Sequence, residues 1–175
     1  MDESLRKKAS KIKLLLLDVD GVLTDGRIVY DSKGRDSKFF NVHDGLGVYL
    51  LKRAGIPTVL ITAKGSRAIR PRARDMRVDR IYADVSSKSA VLDRITKIYR
   101  VISEEICFVG DDLVDLGIMQ KVGFSVAVFN ACPEIKNSAD YITQREGGRG
   151  AVREIAELIL KSRGKWQAMV TLYQS

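Results

Sequence analysis

Asp18 and Asp20 stand one valine apart in KLLLLDVDGVLTDG, residues 13–26, where four leucines run straight into two carboxylates. Alternate residues of a strand share a face, so the pair begins as near neighbours, although the strand ends here and a turn at Gly21 can separate them. Two carboxylates so placed can divide catalytic labour, one attacking an electrophile and the other carrying a proton. Related groups close later apolar runs: Thr62 after IPTVLI, and Asp111, Asp112 and Asp115 in GDDLVD, while Lys88 follows YADVSS. Each alone has a plain structural reading, because Asp and Thr cap helices or close turns and a single Lys is usually solvated. Together they resist that reading. Carboxylates converging on one sheet edge repel each other unless a cation sits among them, and an all-oxygen donor set points to a hard divalent ion, magnesium.

The elements that must position these groups are legible from pattern. IKLLLLD, IPTVLIT, DRIYAD, EICFVGD and FSVAVFN are apolar almost throughout. Strands without polar alternation are covered on both faces, as in a parallel sheet between helix layers. Helical stretches lie between them: GLGVYLLKRAG with a glycine suited to a C-cap, SSKSAVLDRITKIYR with serines suited to capping, and the shorter LVDLGIMQKVG. The alternation spells an α/β, Rossmann-like doubly wound fold, whose ligands sit beyond the carboxyl ends of the strands. GRIVYDSKGRDSKFFN, with DSKG between two strand-like runs, predicts a projecting β-hairpin, and GAVREIAELILKSRGKW predicts a closing helix. Pro71 inside SRAIRPRARDM requires a helix that starts near Arg70 or one that kinks. His43, just before a helix, reads as a polar neighbour of Asp44, the expected cap, with a substrate contact as the alternative.

The 175 residues suit one domain, taken as 1–175, and no apolar run approaches a membrane span. RKKASKIKLLLLD superficially resembles an export signal, but its apolar run is short and ends in Asp18. Cys107 and Cys132 lack metal-ligand spacing, so reduced thiols in a cytoplasmic protein are expected. The formal charge of +8 leaves nucleic acid, acidic membrane and small anions open. The densest basic run, SRAIRPRARDMR, has no interleaved aromatics, which favours a solvated face over nucleic-acid binding.

The set DVDGVLT, Thr62, Lys88 and GDDLVD, in that order, resembles the haloacid dehalogenase superfamily of aspartate-nucleophile phosphatases. The resemblance implies that Asp18 attacks phosphorus to form an aspartyl-phosphate, and that Asp20 protonates the leaving alcohol and then activates water. It further implies magnesium held by the Asp18 carboxylate, the Asp20 carbonyl and Asp111, with Asp112 or Asp115 ordering its waters or Lys88. Thr62 and Lys88 would bind phosphoryl oxygens. These residue types make physical sense, since two anions must approach and positive charge offsets their repulsion.

Large cap domains are common in that superfamily, and this chain has no room for one between its motifs. Across about residues 11–165, from DVDGVLTDG through FFNVHDGLGVYLLKRAGI to EGGRGAVREIAELIL, it is similar to the family of 3-deoxy-D-manno-octulosonate 8-phosphate phosphatases. That family implies a homotetramer whose hairpins form a central barrel and whose glycine-rich C-terminal segment reaches a neighbour's site, with Asn41, Phe40 and Arg149 lining the pocket. Phosphatases of nine-carbon sugar-acid phosphates, related to sialic acid synthesis, are the nearest rival. They tend to carry Glu two residues after the Thr, where this chain has Lys64 and the octulosonate enzymes a basic residue, commonly Arg. Lysine lacks the planar fork of Arg, and Ala63 replaces the usual Gly. Arg72 is the candidate second cation for a sugar carboxylate. The expectation is a magnesium-dependent sugar-acid phosphatase in lipopolysaccharide precursor synthesis. The contrasting class is a non-catalytic assembly module of a sugar-nucleotide transferase, which the complete set of motif residues disfavours.

Overall fold

The structure, a computed structural model, describes residues 2–174. Six parallel strands form the central sheet: β1 (Leu14–Leu17), β4 (Thr58–Ile61), β5 (Arg80–Tyr82), β6 (Ile106–Gly110), β7 (Phe124–Ala127) and β8 (Tyr141–Ile142), in the order β5-β4-β1-β6-β7-β8. Every residue of β1, β4, β6 and β7 is buried, which is why these runs are apolar without alternation. The chain winds outward from β1 through β4 to β5, then returns to the other side of β1 for β6. That reversal places the switch point of the sheet at the end of β1.

The hairpin is present as β2 (Val29–Tyr30) and β3 (Asp36–Ser37), antiparallel and apart from the main sheet. Its strands are shorter than the sequence suggests, and they lie largely exposed among the described residues. Helix α2 (Val42–Arg53) follows directly, and Gly55 ends it in the left-handed region. Helix α3 (Ile69–Asp75) takes Pro71 in its first turn, where the missing N–H has no intrahelical partner to lose. The serines before α4 (Leu92–Tyr99) do not cap it; a 3₁₀ turn over Lys88–Val91 intervenes and Ser87 bonds with Ser89 instead.

The remaining helices are α5 (Leu116–Met119), α6 (Pro133–Ser138), α7 (Ala151–Ser162) and α8 (Trp166–Thr171), with α1 (Glu3–Ser10) at the start. α7 is the expected closing helix. It buries Val152, Ile155, Ala156 and Ile159 in a core shared with Val48 and Leu51 of α2. α1, α6 and β8 carry no clear sequence signal. α1 buries only Ala9, α6 has six residues, and β8 is a two-residue edge. Neither cysteine is in a disulfide, and no described helix is long and apolar enough to cross a membrane.

Asp44 is not the cap of α2. Asn41 is, its side-chain oxygen accepting from the amides of His43 (2.8 Å) and Asp44 (3.4 Å). Asp44 lies fully buried and reaches across to α7, accepting from Gly150 N (3.2 Å) and Arg153 N (2.8 Å). Burial raises its pKa, and those two amides offset only part of the rise. Asp44→Ala leaves both amides without a partner and is expected to cost about 2–4 kcal/mol. Urea unfolding should show the loss as a lower midpoint at unchanged slope, with Asp44→Asn recovering part of it because its amide oxygen still accepts.

Candidate active site

The register of the sheet brings the scattered motifs together. Leu17 pairs with Leu60 on one side and Val109 on the other, so Asp18, Thr62 and Asp111 all leave the sheet at one edge. Asp18 donates its backbone N–H to Val109 O, which locks the turn onto β6. Oxygens of Asp18, Asp111 and Asp115 lie within 4.8 Å of one another. Lys88 Nζ sits between two of them, 2.7 Å from Asp18 Oδ1 and 2.5 Å from Asp115 Oδ1, with its side chain only 2% exposed.

The electrostatics of this cluster are those of surplus negative charge. Burial pushes Asp18 up to about 6, with Lys88 opposing and Asp115 adding to the rise. Asp111 goes up to about 8 through burial and the nearby Asp18 and Asp115 carboxylates. Lys88 is penalised by burial, yet the two carboxylates outweigh that and its pKa is raised. One ammonium among three carboxylates leaves room for more positive charge, and an all-oxygen donor set suits a hard cation.

Gly21 makes the close approach possible. Its φ is +83°, and a Cβ there would meet Asp111 Oδ2 at 1.9 Å. Asp115 completes the frame by accepting from Asp111 N (3.0 Å) as well as from Lys88, so of the two candidates for ordering Lys88 it is Asp115 that does so. Asp112 is exposed and accepts from Leu113 N, starting the 3₁₀ turn over Leu113–Asp115.

Asp20 makes its side-chain contact with the hairpin. Its Oδ1 accepts from Lys38 Nζ at 2.5 Å, a hairpin residue that sequence reasoning did not single out. Thr62 is buried, and its hydroxyl donates to Lys64 O (3.0 Å) while accepting from Lys64 N (3.2 Å). Lys64 Nζ donates to Tyr30 OH of the hairpin at 2.8 Å.

The expected pocket residues hold one another within the chain. Arg72 is not on a solvated face: it stacks on Phe40, 5.7 Å from the ring centroid, and donates to the Asn41 carbonyl at 2.6 Å. Burial lowers its pKa, and its Nε is buried without a partner. Asn41 is occupied as the cap of α2. His43 lines an open cleft of about 550 Å³ with Tyr141, Arg153 and Glu157, away from the aspartates. The glycine-rich segment lies on its own chain's loop. Gly148 N donates to Val22 O, and a Cβ on Gly147 would meet Gly21 O at 1.6 Å. Arg149 stays exposed and pairs with Glu146 at 3.4 Å.

Comparisons with known proteins find relatives along nearly the whole chain. The haloacid dehalogenase-like hydrolase family matches residues 72–155. The 3-deoxy-D-manno-octulosonate 8-phosphate phosphatase KdsC of Escherichia coli K12 is 40% identical over 158 residues, covering 90% of this chain and 84% of that protein. The crystal structure of the phosphatase of the same name from Moraxella catarrhalis, in complex with magnesium, phosphate and a KDO molecule, superposes with a TM-score of 0.96. It is 38% identical, covering 99% of this chain and all of that one. The corresponding Yersinia pestis structure gives 0.94 at 35% identity, covering 95% and 90%. Similar along nearly its whole length in both sequence and backbone, the chain belongs to the haloacid dehalogenase-like hydrolases, in the family of the 3-deoxy-D-manno-octulosonate 8-phosphate phosphatases.

Proposed function

We propose that the protein is a cytoplasmic, magnesium-dependent phosphomonoesterase that hydrolyses 3-deoxy-D-manno-octulosonate 8-phosphate to the free sugar acid and phosphate, a step in lipopolysaccharide precursor synthesis. The observation that carries this reading is the buried Asp18–Lys88–Asp115 triad beside Asp111 at the end of β1, in a chain so similar to phosphatases of that name. Residues 1–175 act as a single domain.

Asp18 is the nucleophile. Lys88 fixes its Oδ1, and a carboxylate oxygen attacks phosphorus as the ester P–O bond breaks, giving an aspartyl-phosphate and a sugar alkoxide that takes a proton from Asp20. Asp20, now ionised, accepts a proton from water as that water attacks phosphorus, which releases phosphate and regenerates Asp18. Asp18, the Asp20 carbonyl and Asp111 are the groups to hold magnesium, and the bound ion supplies the positive charge that lets carboxylate and phosphate approach. Lys88 adds positive charge beside the equatorial oxygens, and the Thr62 hydroxyl donates to them after leaving Lys64 O. Lys64 and Arg72 serve the sugar carboxylate, with Asn41 and Arg149 at the pocket wall.

The pocket wall is completed by assembly into a homotetramer through the hairpins. Ile28, Val29, Tyr30, Phe39 and Val42 are all exposed in the single chain, an apolar surface that a barrel of hairpins would cover. Arg149 is the residue of the glycine-rich segment left to face a neighbour. Sedimentation velocity should give a tetramer; a monomer at micromolar concentration would remove this part of the account.

The cluster also sets a pH dependence. Burial, with the neighbouring carboxylates, pushes Asp111 up to about 8 and Asp18 up to about 6 in the folded, metal-free protein, against 3.8 in the unfolded chain. The folded state therefore binds more protons in that window, so stability rises as pH falls through about 8 and is lost as pH rises through it. Carboxylates kept ionised around magnesium lose this dependence. The increase in Tm on adding magnesium is therefore expected to be larger at about pH 9 than at about pH 5. Thermal melts with magnesium or chelator check it, and an equal shift at both values contradicts it.

The direct test of the function is phosphate release from the octulosonate ester with magnesium, compared with a nine-carbon acid 9-phosphate. Turnover of the eight-carbon ester supports the reading; preference for the nine-carbon ester keeps the chemistry and overturns the substrate.

A further inference from the structure

Lys38 follows β3 on the hairpin, and its side chain is only 7% exposed. Its ammonium lies 2.5 Å from Asp20 Oδ1 and 3.7 Å from Asp36 Oδ2, so a residue on an otherwise exposed excursion sends its charge inward. Withdrawing an ammonium from water is costly and persists only where specific acceptors offset it. Asp36 belongs to the hairpin itself. Asp20 belongs to the loop after β1, so this pair is the bond that ties the hairpin to that loop.

We propose that Lys38 is a positioning residue for proton transfer by Asp20. An ammonium only donates, so with Lys38 on Oδ1 the proton that Asp20 exchanges resides on Oδ2. One oxygen of the carboxylate is thereby held on the hairpin, and the other is left to exchange the proton. Without Lys38, Asp20 is free to rotate, and the reaction loses orientation while keeping its nucleophile, Lys88 and metal ligands. The inference rests on the acid–base reading of Asp20. It deepens that reading by making the hairpin part of the catalytic apparatus as well as an assembly surface.

Leaving-group dependence separates orientation from simple anchoring. An alkyl phosphate needs its leaving oxygen protonated, whereas p-nitrophenyl phosphate releases a stable phenolate. kcat/KM reports only the steps through the first P–O cleavage. With magnesium-loaded enzyme, Lys38→Met is expected to lower kcat/KM for the sugar-acid phosphate by about 10²-fold and to leave that for p-nitrophenyl phosphate nearly unchanged. Lys38→Arg should restore part of the loss. In an Asp20→Asn background Lys38→Met should add nothing further, since the two act as one unit.

Equal losses on both esters, or none on either, would overturn the proposal and leave Lys38 as a hairpin anchor. Should Lys38→Met fail to fold, Lys38→Gln carries the same comparison, because its amide both donates and accepts and so no longer fixes the proton on one oxygen of Asp20. Asp20→Asn alone tests the underlying reading: if it does not discriminate between the two esters, Asp20 is not the acid and the role of Lys38 falls with it. If Asp20→Asn discriminates and Lys38→Met does not, only the present inference fails.

Discussion

Asp18→Asn is expected to abolish turnover, lowering kcat by about 10⁴-fold or more. The amide is nearly the same size, but its nitrogen cannot attack phosphorus and its oxygen is a poor nucleophile. Folding should survive, because the substitution removes one of the crowded carboxylates that burial already disfavours. Lys88 keeps Asp115 as a partner at 2.5 Å, and the amide oxygen still accepts from it. The expected signature is therefore a protein of equal or higher Tm with no phosphate release and no hydroxylamine-sensitive phosphoenzyme. Residual activity within tenfold of the parent would remove Asp18 from its role.

Lys88→Met should be damaging in a different way, with both stability and turnover falling. The ammonium stands between Asp18 and Asp115 with almost no solvent contact, so its removal leaves two buried carboxylates without their cation. Breaking a buried pair by deleting one partner costs about 3–5 kcal/mol. The loss should be smaller at low pH, where the carboxylates protonate, and larger at high pH; urea unfolding across pH reads this directly. In the magnesium-loaded enzyme that remains folded, kcat is expected to drop by about 10²–10³-fold, in line with the removal of one preorganised charge at a developing anion. Stability unchanged at high pH would contradict the assigned electrostatics.

Much of this site was legible because its groups sit at fixed places in a repeating architecture. Apolar runs ending in Asp18, Thr62 and Asp111 predict a parallel sheet, and the sheet then carries those residues to one edge through its register. The fold and the order of the motifs follow from local pattern. Contacts between distant segments do not. Asp44 looks like a local cap in NVHDGLG, yet its carboxylate is used 106 residues away at Gly150, while Asn41 does the capping. Nothing short-range distinguishes the two, since both types cap well and only packing of α2 on α7 decides.

Lys38 was missed for a related reason. In DSKFF it is one lysine among many, and its inward direction depends on how the hairpin folds over the Asp20 loop. Arg72 shows the opposite case. A basic run on a short helix reads as a solvated face, but Phe40 and the Asn41 carbonyl bind this one guanidinium and set it apart from its neighbours. The short elements α1, α6 and β8 left no periodic signal because each buries too few side chains to need one.

The glycine-rich segment also changes meaning between sequence and structure. EGGRG reads as a turn or as a reach toward a neighbour, and within the chain Gly147 and Gly148 lie against Gly21, Val22 and Thr24. A side chain at either position would displace the loop that carries Asp20. The segment thereby packs against that loop, while Arg149 within it stays exposed.

The most direct measurement of the central claim is steady-state phosphate release by the purified protein from 3-deoxy-D-manno-octulosonate 8-phosphate, with magnesium and again with excess chelator. Turnover that needs magnesium and disappears in Asp18→Asn is the expected result. Absence of release from the parent protein with magnesium present, or release that persists in Asp18→Asn, would contradict it.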